Sequence, residues 1–161
     1  MYAIVTGSFD PMTIGHYELV RQVSEKFEKV FVVALVNANK THLFSLEQRK
    51  RIIELSTKEF ENVVADAYDG LTVDYMHKNN ITQIIRGIKN DQEIEYEKNL
   101  AKAMKEYDNS FETKFLICDE KFSDISSTLV REKLSKGQSI EAYVHANAHD
   151  EIIKMYHANQ N

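Results

Sequence analysis

Twelve residues near the N-terminus, VTGSFDPMTIGH (5–16), concentrate residue types that can bind a phosphate. The run contains the only proline of the chain, Pro11, two of its five glycines, Gly7 and Gly15, and a final histidine, His16. Glycine permits close backbone approach and unusual dihedral angles around an anion. An imidazole in the first turn of a helix adds a donor to free N–H groups and a positive dipole end. The run therefore predicts an anion-binding turn between a strand and a helix.

His16 falls on the apolar stripe of the helix that this run begins. It precedes Val20, Val23 and Phe27 at i+4, i+7 and i+11, so its side chain should point inward over the sheet edge. A core histidine bonded to a backbone carbonyl is the alternative. The glycine spacing matches neither the GxGxxG dinucleotide fingerprint nor the GxxxxGK[ST] P-loop.

The elements that must position this turn alternate along the chain. The sequence predicts strands at 2–6, 29–36, 62–68, 82–87 and 114–119. It predicts helices at 14–28, 45–60, 71–79 and 90–108, with more helix after 126. Apolar strands separated by helices indicate an α/β fold with a doubly wound parallel five-stranded sheet, in one domain spanning 1–161. Ligands of such sheets bind beyond the carboxyl ends of the strands.

Composition excludes several classes of protein. The chain is 43% hydrophobic and 28% charged, which is typical of a globular protein, and its formal net charge of −5 argues against nucleic acid as a partner. No apolar run approaches the roughly 20 residues of a membrane span, and the N-terminus lacks the pattern of a signal peptide. One cysteine, Cys118, allows no internal disulfide, and no spacing typical of a protein metal site occurs. A cytoplasmic protein is the expectation.

A second polar cluster, ISSTLVR (125–131), lies far from the first in the sequence. Ser126, Ser127 and Thr128 crowd the expected start of a helix, where one N-cap hydroxyl would suffice. The extra hydroxyls suit a polyphosphate, although they could also be no more than a generous cap.

Charged residues in a third block, IIRGIKNDQEIEYE (84–97), occupy positions that are expected to be buried. Arg86 and Lys89 lie at the end of a buried strand, a poor place for charge unless an anion binds there. Glu97 and Glu93 share the apolar face of the next helix, so an inward carboxylate needs a cation or a nucleotide group as its partner. Alternatively, these charges pair with each other as a buried ion pair.

Together the motifs resemble those of the nucleotidyltransferase superfamily, in which TxGH corresponds to Thr13–His16 and ISSTxxR to Ile125–Arg131. The RGIK…EYE block, Lys40 and the following SLEQR are similar to bacterial-type phosphopantetheine adenylyltransferases. The resemblance implies a Rossmann-like nucleotidyltransferase fold and transfer of AMP from Mg-ATP to 4′-phosphopantetheine. The products would be dephospho-CoA and pyrophosphate, formed by direct in-line attack without a covalent intermediate. A homohexamer, Mg²⁺ bound with ATP, and coenzyme A as feedback inhibitor are further implications.

The resemblance also implies a role for individual residues. His16 and Ser8 would contact the ATP phosphates, with His16 stabilising the transition state. Lys40 and Arg86 would hold the attacking phosphate, and Thr72 the pantetheine arm. The implied substrate-binding and catalytic positions also include Ser8, and no protein metal ligand is expected. The implied ATP-binding residues are Ser8, Phe9, His16, Gly87, Ile88, Lys89, Glu97, Phe122, Ser123, Asp124, Ile125, Ser126, Ser127 and Thr128.

Three residues depart from the family pattern, and three other functions are alternatives to the one it implies. Ser8 replaces the usual threonine, Lys89 stands where arginine is common, and Asn99 where glutamine often occurs. One rival is a cytidylyltransferase or a nicotinate mononucleotide adenylyltransferase, which would lack the RGIK…EYE block. Another is a nucleotide-binding regulatory protein without turnover. A dinucleotide oxidoreductase is disfavoured by the missing glycine fingerprint.

Overall fold

The computed structural model describes residues 1–161. Its strands are β1 (Tyr2–Gly7), β2 (Lys29–Leu35), β3 (Val63–Tyr68), β4 (Gln83–Ile88) and β5 (Glu112–Ile117). Its helices are α1 (Ile14–Ser24), α2 (Leu46–Thr57), α3 (Thr72–Lys78), α4 (Asp91–Tyr107), α5 (Ser127–Ser135) and α6 (Ala146–Asn159), with one 3₁₀ turn at Glu120–Phe122. Each predicted strand is present, within two residues of its expected bounds. The predicted α/β class is confirmed.

All five strands are parallel, in the order β3-β2-β1-β4-β5. β1 pairs with β2 along its whole length, whereas it pairs with β4 only at Ala3–Gln83 and Ile4–Ile84. Beyond Ile4 the two strands separate toward their carboxyl ends. This separation occurs where the chain switches from one side of β1 to the other, which is the position where such sheets bind ligands.

Two apolar clusters cover the two faces of the sheet. Alternate residues of β1 supply them: Ala3 and Val5 belong to the larger cluster, and Ile4 to the smaller one. The larger cluster includes residues of α1, α2, α5 and α6, and the smaller one residues of α3. α4, in contrast, contains no buried residue, so its apolar stripe lies only half-covered against the sheet. No helix is both long and apolar enough to cross a membrane.

The helices end where other groups satisfy their last carbonyls. α1 stops at Ser24 rather than at residue 28, because the Asn62 amide donates to the carbonyls of Ser24 (2.8 Å) and Phe27 (3.0 Å). α5 is followed by Gly137 at φ +66°, and the Gln138 N–H donates to the Lys133 carbonyl at 2.9 Å. This left-handed glycine separates α5 from α6.

Candidate active site

A cavity of about 320 Å³ opens where β1 and β4 separate. Its walls come from the β1–α1 turn, the first turn of α1, the end of β4, the inner face of α4 and the segment before α5. Eight of the site residues that the family pattern implies line it: Phe9, His16, Arg86, Gly87, Lys89, Glu97, Phe122 and Ile125. Three distant stretches of the sequence therefore meet at one edge of the sheet.

His16 is held at this cavity by a capping box at the start of α1. Thr13 is the N-cap, and its side chain accepts from the His16 N–H. In return, Nδ1 of His16 accepts from the Thr13 N–H at 2.9 Å. Glutamate or glutamine usually supplies this second bond. Because Nδ1 is an acceptor, the proton of the neutral imidazole lies on Nε2, which leaves Nε2–H as the donor available to a ligand.

The surroundings of His16 keep its imidazole neutral. Burial, with a smaller contribution from the charge of Lys89, lowers its pKa from the ordinary 6.5 to about 4. The Phe9 ring packs edge-on against the imidazole, with 5.0 Å between ring centroids. At neutral pH His16 therefore offers a hydrogen-bond donor without carrying a charge.

We expect an NMR titration of the His16 imidazole to show a midpoint near pH 4 rather than 6.5. Since the folded pKa is the lower one, the unfolded chain takes up this proton first as the pH falls. His16 therefore contributes stability that is complete above pH 6.5 and is lost as the pH falls toward 4. Lys89→Met should raise the midpoint, because it removes a neighbouring positive charge, and His16→Gln would identify the signal. A wild-type midpoint near 6.5 would contradict the burial of this group.

Arg86 and Glu97 form a two-bond ion pair beside the cavity. Nε and NH2 of Arg86 each donate to one Glu97 oxygen at 3.0 Å, and NH1 lies 3.4 Å from Oγ1 of Thr6. The Glu97 side chain is 12% exposed and that of Arg86 31%. The sequence offered pairing of the buried charges with each other as an alternative. For Arg86 and Glu97 the structure confirms that alternative.

A second cavity, of about 220 Å³, lies on the other side of this ion pair. Thr6, Arg86 and Glu97 line both cavities. Thr72, the first residue of α3, lines only the second one, together with largely apolar residues of β2, β4 and α4. The remaining lining residues are Leu35, Ile84, Leu100, Ala101, Met104 and Thr113. The ion pair thus stands at the junction of a more polar and a more apolar compartment.

The ISSTLVR segment is hydrogen-bonded to the β1–α1 turn. The Ser127 hydroxyl donates to the Pro11 carbonyl at 2.7 Å, and NH1 of Arg131 donates to the Asp10 carbonyl at 2.8 Å. Ser126 is the N-cap of α5, and Thr128 Oγ1 accepts from Arg131. Each hydroxyl of this segment therefore has a partner within the protein, and the segment joins α5 to the β1–α1 turn.

Comparison with known proteins identifies the family. A sequence model described as Cytidylyltransferase-like matches residues 4–133. A phosphopantetheine adenylyltransferase of Clostridium novyi is 39% identical over 142 residues, which cover 88% of each chain. That of Nostoc punctiforme is 40% identical and covers 99% of this chain and 87% of its own. That of Shouchella clausii is 37% identical, over 88% and 89% of the two chains. The chain belongs to the phosphopantetheine adenylyltransferase family.

A solved structure also supports the fold. The crystal structure of a Vibrio parahaemolyticus protein, provisionally named nicotinate-nucleotide adenylyltransferase, superposes with a TM-score of 0.64 and covers 94% of this chain and 97% of its own. Its sequence identity of 18% limits the likeness to the fold. The resemblance to phosphopantetheine adenylyltransferases and the Rossmann-like nucleotidyltransferase fold, both predicted from the motifs, are confirmed.

Several residues that the family pattern singles out lie outside both cavities. Lys40 is exposed in the β2–α2 loop, where its N–H donates to the Asn37 carbonyl. Ile88 is buried, and Ser8 is half-buried. The other predicted ATP-binding residues outside the cavities are Ser123, Asp124, Ser126, Ser127 and Thr128. Lys89 does line the first cavity, and its Nζ donates to the Ile125 carbonyl at 2.8 Å.

Sequence reasoning missed two buried charges that shape the first turn. Asp10 is 3% exposed, and its carboxylate accepts from the N–H groups of Leu43 (2.8 Å) and Phe44 (2.9 Å). Arg49 is 2% exposed and donates to the carbonyls of Ser8 (2.8 Å) and Leu35 (2.9 Å). Burial lowers the pKa of Arg49, and the Asp10 charge acts in the opposite direction. Their only sequence signal was their place within the quoted SFDP and SLEQR stretches.

Proposed function

We propose that the chain transfers AMP from ATP to 4′-phosphopantetheine and forms dephospho-CoA and pyrophosphate. The observation that carries the proposal is the pair of adjoining cavities at the separation of β1 and β4, with Arg86 between them. A reaction that joins two phosphate-bearing substrates needs two subsites that meet at one cationic group. The names of the relatives support the identity of the two substrates.

ATP suits the first cavity for electrostatic reasons. The N–H of Gly15 in the first turn of α1, Nε2–H of His16 and the ammonium of Lys89 favour phosphates. Phe122 and Ile125 offer apolar surface for a base. Apart from Glu97, which pairs with Arg86, we assign Ser8 and the remaining ATP-binding positions of the family pattern to the same nucleotide on the strength of the pattern alone.

The pantetheine arm suits the second cavity because that cavity is largely apolar. Leu100 and Met104 supply apolar surface from α4, and Thr72 supplies its backbone N–H at the start of α3. The phosphate of the acceptor would then lie toward Arg86. Lys40 would reach this phosphate from the exposed β2–α2 loop, so its role depends on movement of that loop.

The chemistry needs no protein nucleophile. An oxygen of the acceptor phosphate attacks the α-phosphorus of ATP and forms the new P–O bond. The bond from the α-phosphorus to the bridging oxygen breaks, and pyrophosphate leaves with its electrons. His16 would donate Nε2–H to the oxygens around the α-phosphorus, where negative charge is crowded, and Arg86 would hold the incoming phosphate in line.

In this proposal Mg²⁺ binds together with ATP rather than to ligands of the protein. No cluster of three or more His, Cys, Asp or Glu side chains is arranged to hold a metal ion. Of the two carboxylates that line the first cavity, Glu97 pairs with Arg86, and Glu93 accepts from the Lys89 N–H at 2.9 Å. Mg²⁺ would accordingly enter on the oxygens of ATP, as it often does with nucleotides.

Three further properties of the family pattern are proposed on the pattern alone. These are a homohexamer, inhibition by coenzyme A and a place in the cytoplasm. Residues 1–161 would act as one catalytic domain. Light scattering of the purified protein would test the hexamer directly, and a mass near that of one chain, 18.7 kDa, would contradict it.

Pyrophosphate release tests the proposed reaction. Mg-ATP is supplied with 4′-phosphopantetheine in one well, with nicotinate mononucleotide in a second, and CTP is supplied with glycerol 3-phosphate in a third. We expect release in the first well only. Release in another well alone would retain a nucleotidyltransferase and reject the acceptor. No release from folded protein that binds ATP would favour a regulatory nucleotide-binding protein.

A further inference from the structure

The ion pair leaves part of the Arg86 guanidinium free to bind a further group. A guanidinium carries five N–H donors in one rigid plane. Glu97 takes one from Nε and one from NH2, and Thr6 takes at most one from NH1. Two donors therefore remain, and Arg86 lines both cavities. The orientation of these two donors depends on what holds the guanidinium plane.

Glu97 is the group that holds this plane. Both of its oxygens bond to Arg86, each at 3.0 Å, and a two-bond contact fixes the orientation of a guanidinium as well as its position. The Glu97 backbone is part of α4, so the carboxylate is carried by a rigid element rather than by a loop. Thr6 alone, at 3.4 Å, would restrain Arg86 only weakly.

We infer that Glu97 is a positioning residue that acts through Arg86. It fixes the guanidinium at the junction of the two cavities so that its free N–H groups face the phosphates being joined. This inference rests on the proposed function. It differs from the role that the family pattern implies for Glu97, which is direct contact with ATP.

The charge of Glu97 makes the two roles separable. Both substrates are anionic, so a carboxylate beside them weakens their binding if it acts through its charge alone. Removal of that charge should therefore leave the affinity for ATP unchanged, while the alignment of Arg86 with the phosphates being joined is lost. A displacement of about 1 Å in a reacting geometry can cost about 100-fold in rate. A direct ligand of ATP would instead lose ATP affinity.

The test is a double-mutant cycle between Glu97→Gln and Arg86→Ala. Glutamine keeps the size of the side chain but can accept only one of the two Arg86 bonds. We expect Glu97→Gln to lower kcat at least about 10-fold, with the Kd for ATP from calorimetry changed less than about 2-fold. In the Arg86→Ala background the same substitution should lower kcat/KM no further. Glu95→Gln, at an exposed position of α4 outside both cavities, is the matched control.

Other outcomes overturn the inference. If Glu97→Gln weakens ATP binding equally with and without Arg86, Glu97 is a direct ligand of the nucleotide. If it lowers kcat equally in both backgrounds, it does not act through Arg86. Should the glutamine variant fail to fold, Glu97→Asp keeps the charge but withdraws the carboxylate by one methylene, and it must show the same dependence on Arg86. A wild-type protein without pyrophosphate release would reject the proposed function instead.

Discussion

His16→Ala is expected to lower turnover at least about 100-fold, the effect of losing one preorganised donor beside a reacting centre. His16 lines the first cavity, and the bond that its Nδ1 accepts from the Thr13 N–H places the proton of the neutral ring on Nε2. The imidazole is neutral because its pKa is lowered to about 4, so the contribution is that of a fixed dipole rather than a charge. Pyrophosphate release at saturating ATP and 4′-phosphopantetheine measures the loss.

The same substitution also removes a helix cap, so activity and folding must be separated. Loss of the bond from the Thr13 N–H to Nδ1 should cost about 1 kcal/mol of unfolding free energy. His16→Gln is the matched control, because glutamine at this position of a capping box can accept the same N–H. We expect urea denaturation to show near wild-type stability for His16→Gln while most of the turnover remains lost. A folded His16→Ala protein with nearly full turnover would reject a catalytic role for this residue.

The periodic features of the sequence predicted the fold well. Each β-branched run is a strand in the structure, because β-branched residues favour strands and apolar strands between helices are typical of a parallel sheet covered on both faces. His16 also lies where its stripe indicated, beside the carboxyl edge of the sheet. The capping box was less visible, because histidine occupies the position where glutamate or glutamine is the usual signal.

The partners of the charged residues were less predictable: the sequence offered pairing of the buried charges with each other only as an alternative to a bound anion or nucleotide. Arg86 and Glu97 are eleven residues apart on different elements, and no spacing rule connects the end of a strand to the second turn of the next helix. Nothing in the sequence indicated that Asp10 and Arg49 are buried, since charged side chains are seldom buried. Their burial depends on backbone groups of distant loops, which become neighbours only in the folded chain.

The separation of β1 from β4 was likewise invisible in the sequence, although a ligand site beyond the carboxyl ends of the strands was expected. Pairing stops after Ile4 and Ile84 while both strands continue. Thr6 on β1 and Arg86 on β4 then face a cavity instead of each other's backbone. The position of the site follows from topology, but its depth follows from this local loss of pairing.

Arg86→Ala is the second substitution with a large expected effect. It should weaken binding of the acceptor, 4′-phosphopantetheine, more than binding of ATP. Arg86 lies between the two cavities, and two of its N–H groups have no partner within the protein. Loss of charged hydrogen bonds to a phosphate typically costs 2 to 5 kcal/mol. We therefore expect calorimetry to show the Kd for 4′-phosphopantetheine raised at least about 30-fold, and that for ATP raised less than about 3-fold.

Stability provides the internal control for this prediction, because Arg86→Ala leaves the Glu97 carboxylate, 12% exposed, without its partner. Breaking such a pair can cost about 3 kcal/mol when one charge stays buried. The double variant Arg86→Ala/Glu97→Gln removes that charge, so it should regain stability in urea without regaining acceptor affinity. If affinity returned together with stability, the loss in Arg86→Ala would reflect the fold rather than the phosphate. If ATP binding suffered more than acceptor binding, Arg86 would belong to the nucleotide subsite, and the attacking phosphate would then depend on Lys40 and the loop that carries it.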